Sequence, residues 1–140
     1  MRVALLGNLC NTAYAFGKAL REEGLNAEIF ITEKERKQVA AYPEWEDPEI
    51  DSKKSHWIHY YDQNNIPSLI RTVIRLRQFD IIHAFGLPNI YCQFLRRPLV
   101  SHALGADLKE VVYESNILGR LLKRAFKQNK PLLFSDIDHL

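Results

Sequence analysis

RVALLGNLCNTAYAFGKALREEGLNAEIFIT, Arg2 to Thr32, decides the fold. Its first six residues form a continuous apolar run closed by Gly7, the pattern of a strand buried on both faces. Asn11 stands where a helix cap belongs. The helical segment "TAYAFGKALREEG" then places Ala13, Phe16, Ala19 and Leu20 on one face, and Gly24 stops it. A glycine inside a helix costs about 1 kcal/mol relative to alanine. Gly17 is therefore expected to mark close packing of this helix on a sheet. "AEIFIT" returns as a second apolar strand.

The same alternation continues along the chain. Residues 33 to 55 are polar and acidic, interrupted by Pro43 and Pro48, and read as one long irregular insertion. "HWIHYYD", from His56 to Asp62, alternates as a third strand. "IPSLIRTVIRLRQF" is helical, with Pro67 near its first turn and an expected inner stripe of Ile66, Leu69, Ile70, Val73 and Ile74. "DIIHAFG" is a fourth strand, Pro88 to Leu95 a short helix, and "PLVSHALG" a fifth strand. "SNILGRLLKRAFKQNK" is an amphipathic helix with Ile117, Leu118, Leu121, Leu122, Ala125 and Phe126 inward, and "PLLFS" a sixth strand. Strands alternating with helices imply an α/β, Rossmann-like, three-layer domain with a mainly parallel sheet of about six strands.

A chain of 140 residues fits a single domain, residues 1–140. Apolar residues at 46% and charged residues at 26% are those of an ordinary soluble globular protein, and a formal charge of +2 gives no reason to expect nucleic acid. Cys10 and Cys92 are far apart in sequence, without metal-binding spacing, which fits a reducing, cytoplasmic setting. "MRVALLG" is too short for a signal peptide, and no stretch approaches the roughly 20 apolar residues of a membrane span. The outward residues Arg120, Lys123, Arg124, Lys127 and Lys130 suit either a solvated helix face or peripheral contact with an anionic membrane or a lipid-linked phosphate.

In parallel sheets of this kind, ligands sit beyond the carboxyl ends of the strands. Gly7-Asn8, Gly86 and Gly105-Ala106-Asp107 each close a strand there. Glycine lets a ligand approach the backbone, and a following helix offers free N–H groups. Gly7-Asn8-Leu9-Cys10-Asn11 matches neither GxGxxG nor GxxxxGK[ST], and "AEIFIT" ends in threonine where an adenosine ribose would require an acid. The loop is either a tight strand-to-helix turn or one whose amides face a phosphate or sugar hydroxyl. His83 and His102 each lie three residues before a glycine. They are either hydrogen-bonded core residues or, on neighbouring strands, two imidazoles lining one mouth. Without a nearby carboxylate pair they make a poor zinc set, and no metal is expected. Asp107 is a turn cap or an acceptor for sugar hydroxyls. His56 and His59 point to opposite faces of a strand and carry no assigned role. Nothing close in sequence would activate Cys10 as a nucleophile.

The order "FDIIHAFG … RPLVSHALGADLKE … ILGRLLKRAFKQNKPLLFS" resembles the amino-terminal, acceptor-side domain of the retaining GT-B glycosyltransferases often called family 4. "GNLCNTAYAFGKALREEGLNAEIFI" is similar to that domain's first strand, loop, helix and second strand, and "YPEWEDPEI" resembles an insertion in one branch. The resemblance spans nearly the whole chain; each motif is weak alone, and their order and spacing carry it. It implies that Gly7, Asn8 and Asn11 form a loop at an interdomain cleft, with His83 and Gly86 at the mouth of the fourth strand. Gly105 and Asp107 match the fifth-strand motif. The family commonly places a sugar-contacting histidine where this chain has Leu104; His102 lies two residues upstream on the same strand face. The catalytic candidates are then His102 and Asp107, and the substrate-binding candidates Gly7, Asn8, Asn11, His83, Gly86 and Gly105.

The family's nucleotide-sugar site lies largely on a carboxy-terminal domain, which residues 1–140 do not contain. The resemblance therefore implies half of an enzyme, an excised domain or a split subunit, inactive alone. With its missing partner domain it would transfer a sugar from a nucleotide-sugar donor to a sugar or lipid-linked acceptor. It would need no cofactor and no nucleic acid, and would work in the cytoplasm or at the inner face of the membrane. The alternatives are a stand-alone flavodoxin-like binding or regulatory module, and an epimerase-like sugar-nucleotide enzyme of the same fold.

Overall fold

A computed structural model describes residues 1–36, 42–85, 92 and 95–102. The elements in chain order are β1 (Arg2–Leu6), a 3-10 turn (Leu9–Asn11), α1 (Thr12–Glu22), β2 (Asn26–Thr32), α2 (Glu33–Arg36), α3 (Pro43–Glu46), β3 (Ile58–Tyr61), α4 (Ile66–Leu76), β4 (Ile81–Phe85) and β5 (Leu99–His102). The five strands form one all-parallel sheet in the order β3-β2-β1-β4-β5. This is the Rossmann-like α/β arrangement, with the reversal of strand order falling between β1 and β4. The expected helices over 88–95 and 116–130 and the strand "PLLFS" lie outside the described residues, apart from Cys92 and Leu95, which are both buried.

Alternation of side chains gives each sheet face its own core. Val3, Leu5, Ile29, Ile31, Ile58 and Phe85 pack with Ala13 and Tyr14 of α1 and with Trp57. Ala4, Leu6, Phe30, Tyr61, Ile82 and Ala84 pack with Leu76 of α4, Phe79, Cys92 and Leu95. Central strands with apolar residues on both alternations are what two covered faces require. Each fully buried Leu, Ile or Phe contributes about 1.5–3 kcal/mol of transfer free energy.

Gly17 does mark close packing. A Cβ there would lie 2.9 Å from Leu5 Cδ1, 3.1 Å from Trp57 Cζ3 and 3.3 Å from Ile29 Cδ1. That proximity also corrects the expected face of α1. Ala13, Tyr14 and Gly17 are buried, whereas Ala19 is exposed and Phe16 is 42% exposed. The helix lies so near the sheet that glycine takes the contact line. Tyr14 can turn inward because its ring stacks on Trp57 at 5.6 Å and its hydroxyl donates to Asp47 Oδ2 at 3.0 Å.

Helix α4 requires a similar correction. Ile66, Ile70 and Ile74 are 69%, 52% and 55% exposed, and the inner face is Leu69, Thr72, Val73 and Leu76. Two apolar stripes at helical spacing compete, and periodicity alone cannot choose between them. The sheet takes the stripe containing Thr72, whose hydroxyl is satisfied by Ser68 O at 3.0 Å.

The third strand is shorter than expected, beginning at Ile58 and ending at Tyr61. Within the segment read as irregular, α2 and α3 each form a single turn. Helix α2 starts with a capping box: Thr32 Oγ1 accepts from Glu35 N at 3.1 Å, and the Glu35 carboxylate accepts from Thr32 N at 2.9 Å.

Candidate site at the carboxyl edge of the sheet

Gly7 ends β1 with φ +84, a conformation that glycine adopts without strain. A Cβ there would come within 2.8 Å of Phe85 O, so β1 and β4 close on each other at this point. Asn8 is fully buried, and its side chain knits the turn together. Asn8 Oδ1 accepts from Tyr14 N at 2.8 Å, which caps α1, and Asn8 Nδ2 donates to Asn11 Oδ1 at 2.7 Å. Asn11 holds the N-cap position in a left-handed conformation but makes no side-chain cap bond; its Nδ2 donates to Tyr42 O. The capping role expected of Asn11 thus belongs to Asn8, because Asn11 is drawn outward to the segment before α3.

Several amides of this loop bond within the protein. Asn11 N donates to Asn8 O at 3.0 Å, and Gly7 N donates to Phe30 O at 3.0 Å. Asn8 N donates to Glu35 Oε1 at 3.0 Å, while Glu35 Oε2 accepts from both the amide and the hydroxyl of Thr32. Glu35 thus sets a carboxylate at the joint ends of β1 and β2, where the sequence reading found no acid. The signal was present: T-E-K-E, Thr32 to Glu35, is the S/T-x-x-E pattern that turns a glutamate back onto the strand end.

His83 and His102 come together. Strands β4 and β5 are neighbours, with Phe85 paired to His102 and His83 paired to Val100. The register is offset by two residues from a direct His–His pairing, yet both imidazoles point to the α1 side, and His83 Nε2 lies 3.3 Å from His102 Nδ1. Their centroids are 5.5 Å apart with planes 21° from parallel. That separation is close to the N···N distance plus two ring radii, so the rings meet edge to edge and share one hydrogen bond. With one nitrogen protonated and the other accepting from it, these two facing nitrogens are not free to ligate a metal. Among the described residues, no group of three or more His, Cys, Asp or Glu could hold a metal ion.

Aromatic rings enclose the pair. Phe85 lies 4.4 Å from His83 and 4.9 Å from His102, and the half-exposed Phe16 meets His83 edge-on at 5.1 Å. Burial lowers the His83 pKa to about 4, with a smaller contribution from the charge of His102. His83 is therefore a neutral imidazole at pH 7, able to donate or accept one hydrogen bond but not to serve as an acid. Gly7 abuts Phe85, so the Gly7–Asn8 turn and the histidine pair border one strip of the carboxyl edge. Gly86, Gly105 and Asp107 lie outside the described residues.

Two other polar groupings lie elsewhere. In the amino-terminal half of the sheet, the buried Glu28 accepts from Arg75 at 2.8 Å, lies 2.9 Å from His59 Nε2 and pairs with Arg2 at 3.5 Å. Burial opposes its ionisation, but the Arg75 and His59 contacts together hold its pKa below the ordinary value. A cavity of about 520 Å³ lined by Arg21, Gly24, Asn26, His56 and Trp57 opens beside the start of β2, far along the strands from Gly7. No helix among the described residues is long and apolar enough to cross a membrane.

Comparison with known proteins gives no match to a protein-family model, a curated protein or a solved structure.

Proposed function

We propose that this chain is the acceptor-side, amino-terminal domain of a retaining GT-B glycosyltransferase, with its sugar-facing site at the carboxyl edge of the sheet. One observation carries the proposal: His83 and His102, from neighbouring strands, share a hydrogen bond within an aromatic frame that abuts the Gly7–Asn8 turn. The order of sequence motifs supports it, and so does a strand order that puts the switch point between β1 and β4.

The chemistry of the edge favours hydroxyl groups over phosphate. Asn8 N, the amide that follows Gly7, is occupied by Glu35, and that carboxylate repels an anion while accepting from a hydroxyl. His83 is neutral, and the half-exposed Phe16 ring offers the apolar face of a sugar a surface to pack on. The chain's part would be to seat and orient the acceptor, with Asp107 and His102 nearest the chemistry. The complementary domain would supply most of the nucleotide-sugar contacts.

The test is NMR of the 140-residue chain titrated with a panel of monosaccharides and nucleotide sugars. Saturable shifts of the His83 and His102 ring protons by a neutral sugar, with no transfer or hydrolysis of any nucleotide sugar, are expected. Efficient turnover by the chain alone, or sugar-induced shifts confined to other parts of the surface, would overturn the proposal.

A further inference from the structure

Beside the edge strand β3, a cleft of about 430 Å³ is lined by Phe30, Ile58 and Tyr60 and by a markedly basic set of polar side chains: Lys53, His59, Arg71 and Arg75. The size suits a small ligand. Ser68, Arg71, Thr72 and Arg75 recur at i, i+3, i+4 and i+7, so one stripe of α4 faces the cleft. Lys53 approaches from the turn before β3, and His59 projects from β3 itself. Among the described residues β3 pairs only with β2, which leaves this side of the sheet open.

The charge of the cleft is unbalanced. Among the described residues no Asp or Glu lines it. Among the described residues neither the Lys53 ammonium nor the Arg71 guanidinium has a carboxylate partner: Asp51 pairs with Lys54 and, of Lys53, accepts only from the backbone amide at 3.2 Å, and Arg71 Nε donates to Pro67 O at 3.3 Å. Arg75 leans on Glu28, which already has Arg2 as a partner, so one carboxylate serves two guanidinium groups, while His59, its pKa lowered first by burial and then by Arg75, adds a ring nitrogen and no charge. Arg75 uses only Nη2 in these bonds, leaving its other donors for a ligand. Two guanidinium groups one helical turn apart, an ammonium group from the turn before β3 and the Ser68 hydroxyl, which accepts from Asp62 N and keeps its own proton to donate, match the several acceptor oxygens of a phosphoryl group better than the single plane of a carboxylate.

We propose that this cleft binds a small soluble molecule through a phosphoryl group. The site is separate from the carboxyl edge and does not depend on the sugar-transfer proposal: β3 and β5 are opposite ends of the described sheet. Lys53 and Arg71 supply the exposed charges that capture the anion, and Arg75, anchored by Glu28, orients it. Phe30, on the same sheet face as α4, gives the cleft an apolar wall against which the rest of the molecule packs.

The experiment is an NMR titration of the full chain with inorganic phosphate, pyrophosphate and, as a carboxylate control, acetate. Saturable shifts are expected at Ser68, Thr72 and His59 with phosphate and pyrophosphate, weakening as salt rises, and none with acetate at the same ionic strength. Arg71→Gln and Lys53→Gln, both on exposed positions, should each weaken pyrophosphate binding about tenfold while leaving the spectrum folded, about 1.4 kcal/mol apiece. The His59 ring should titrate at higher pH with pyrophosphate bound, against the opposing influence of Arg75 and His56 and alongside that of Glu28. Equal response to acetate, unchanged affinity in both variants, or shifts centred on the Gly7–Asn8 turn would each overturn the assignment.

Discussion

Replacing His83 by glutamine should remove a defined part of this protein's sensitivity to acid. His83 is 7% exposed, and its pKa falls from 6.5 to about 4 because burial penalises the imidazolium and the charge of His102 adds to that penalty. In the unfolded chain the ring takes a proton near its ordinary pKa, so below pH 6.5 the unfolded state binds more protons than the folded one. Stability must then fall as pH falls from about 6.5 toward 4, and level off for this group beneath that. With these two pKa values the loss is about 2 kcal/mol by pH 5 and about 3 kcal/mol at the limit. Glutamine does not titrate and can still hydrogen-bond His102. His59 is also depressed, by burial and then by Arg75, and it moves the wild type and the variant alike. The difference between them therefore isolates His83. Urea unfolding of both proteins at pH 7, 6 and 5 measures it, and the His83 ring proton followed by NMR gives the pKa directly. Parallel pH profiles for the two proteins, or a His83 ring titrating near 6.5, would refute the burial account.

Three further outcomes follow from the packing and the polar clusters. Gly17→Ala gains about 1 kcal/mol of helix propensity but forces a Cβ against Leu5, Trp57 and Ile29, at an overpacking cost of about 1–3 kcal/mol, so denaturation should show a net loss; a gain would mean α1 can lift from the sheet. Glu28→Gln should lower the His59 pKa further, because the carboxylate that raises it is gone, and should cost about 2 kcal/mol, moderated by the partial exposure of Arg2 and Arg75; a rise in the His59 pKa by NMR would contradict the network. Glu35→Ala should cost about 1 kcal/mol and speed amide exchange at Thr32 and Asn8 together, as the loss of one shared acceptor requires; exchange changing at Thr32 alone would show that the β1 turn does not depend on it.

The parts of the fold legible in the sequence were those written as continuous apolar runs. "RVALLG", "AEIFIT" and "DIIHAFG" carry apolar residues on both alternations, with Glu28 and His83 as interruptions, and that pattern belongs to central strands of a parallel sheet whichever face is considered. The helix faces were less legible. In α1 the sheet-facing line runs through Gly17 and Tyr14, a glycine and a hydroxyl-bearing ring, while the more hydrophobic Phe16 is left at the surface. In α4 two isoleucine- and leucine-bearing stripes satisfy the same period, and only the position of the sheet selects one. Of the site, the pairing of His83 with His102 was legible once β4 and β5 were assumed to be neighbours, because equal distances from strand-closing glycines gave similar heights. The two-residue offset was not, since register depends on hydrogen-bond partners that no local pattern encodes. Glu35 is not legible from the end of β2 itself, because a capping box brings back the residue three positions beyond the strand's last threonine.

The strand-closing glycines that first suggested a ligand edge do not carry equal weight in the structure. Gly7 is required twice over for reasons internal to the fold, its positive φ and the approach of Phe85 O, and neither reason involves a ligand. The amide it leads to, Asn8 N, is held by Glu35. A glycine at a strand end is therefore an ambiguous mark, needed by a tight turn as much as by a bound molecule. The histidine pair is different in kind. Core packing at β4 and β5 would be served by two more apolar residues, and burying His83 neutral costs stability as pH falls. A fold that accepts that cost next to the half-exposed Phe16 has placed hydrogen-bonding capacity where packing alone gives no reason for it. For that reason the proposal of a sugar-facing site rests on His83 and His102 rather than on Gly7.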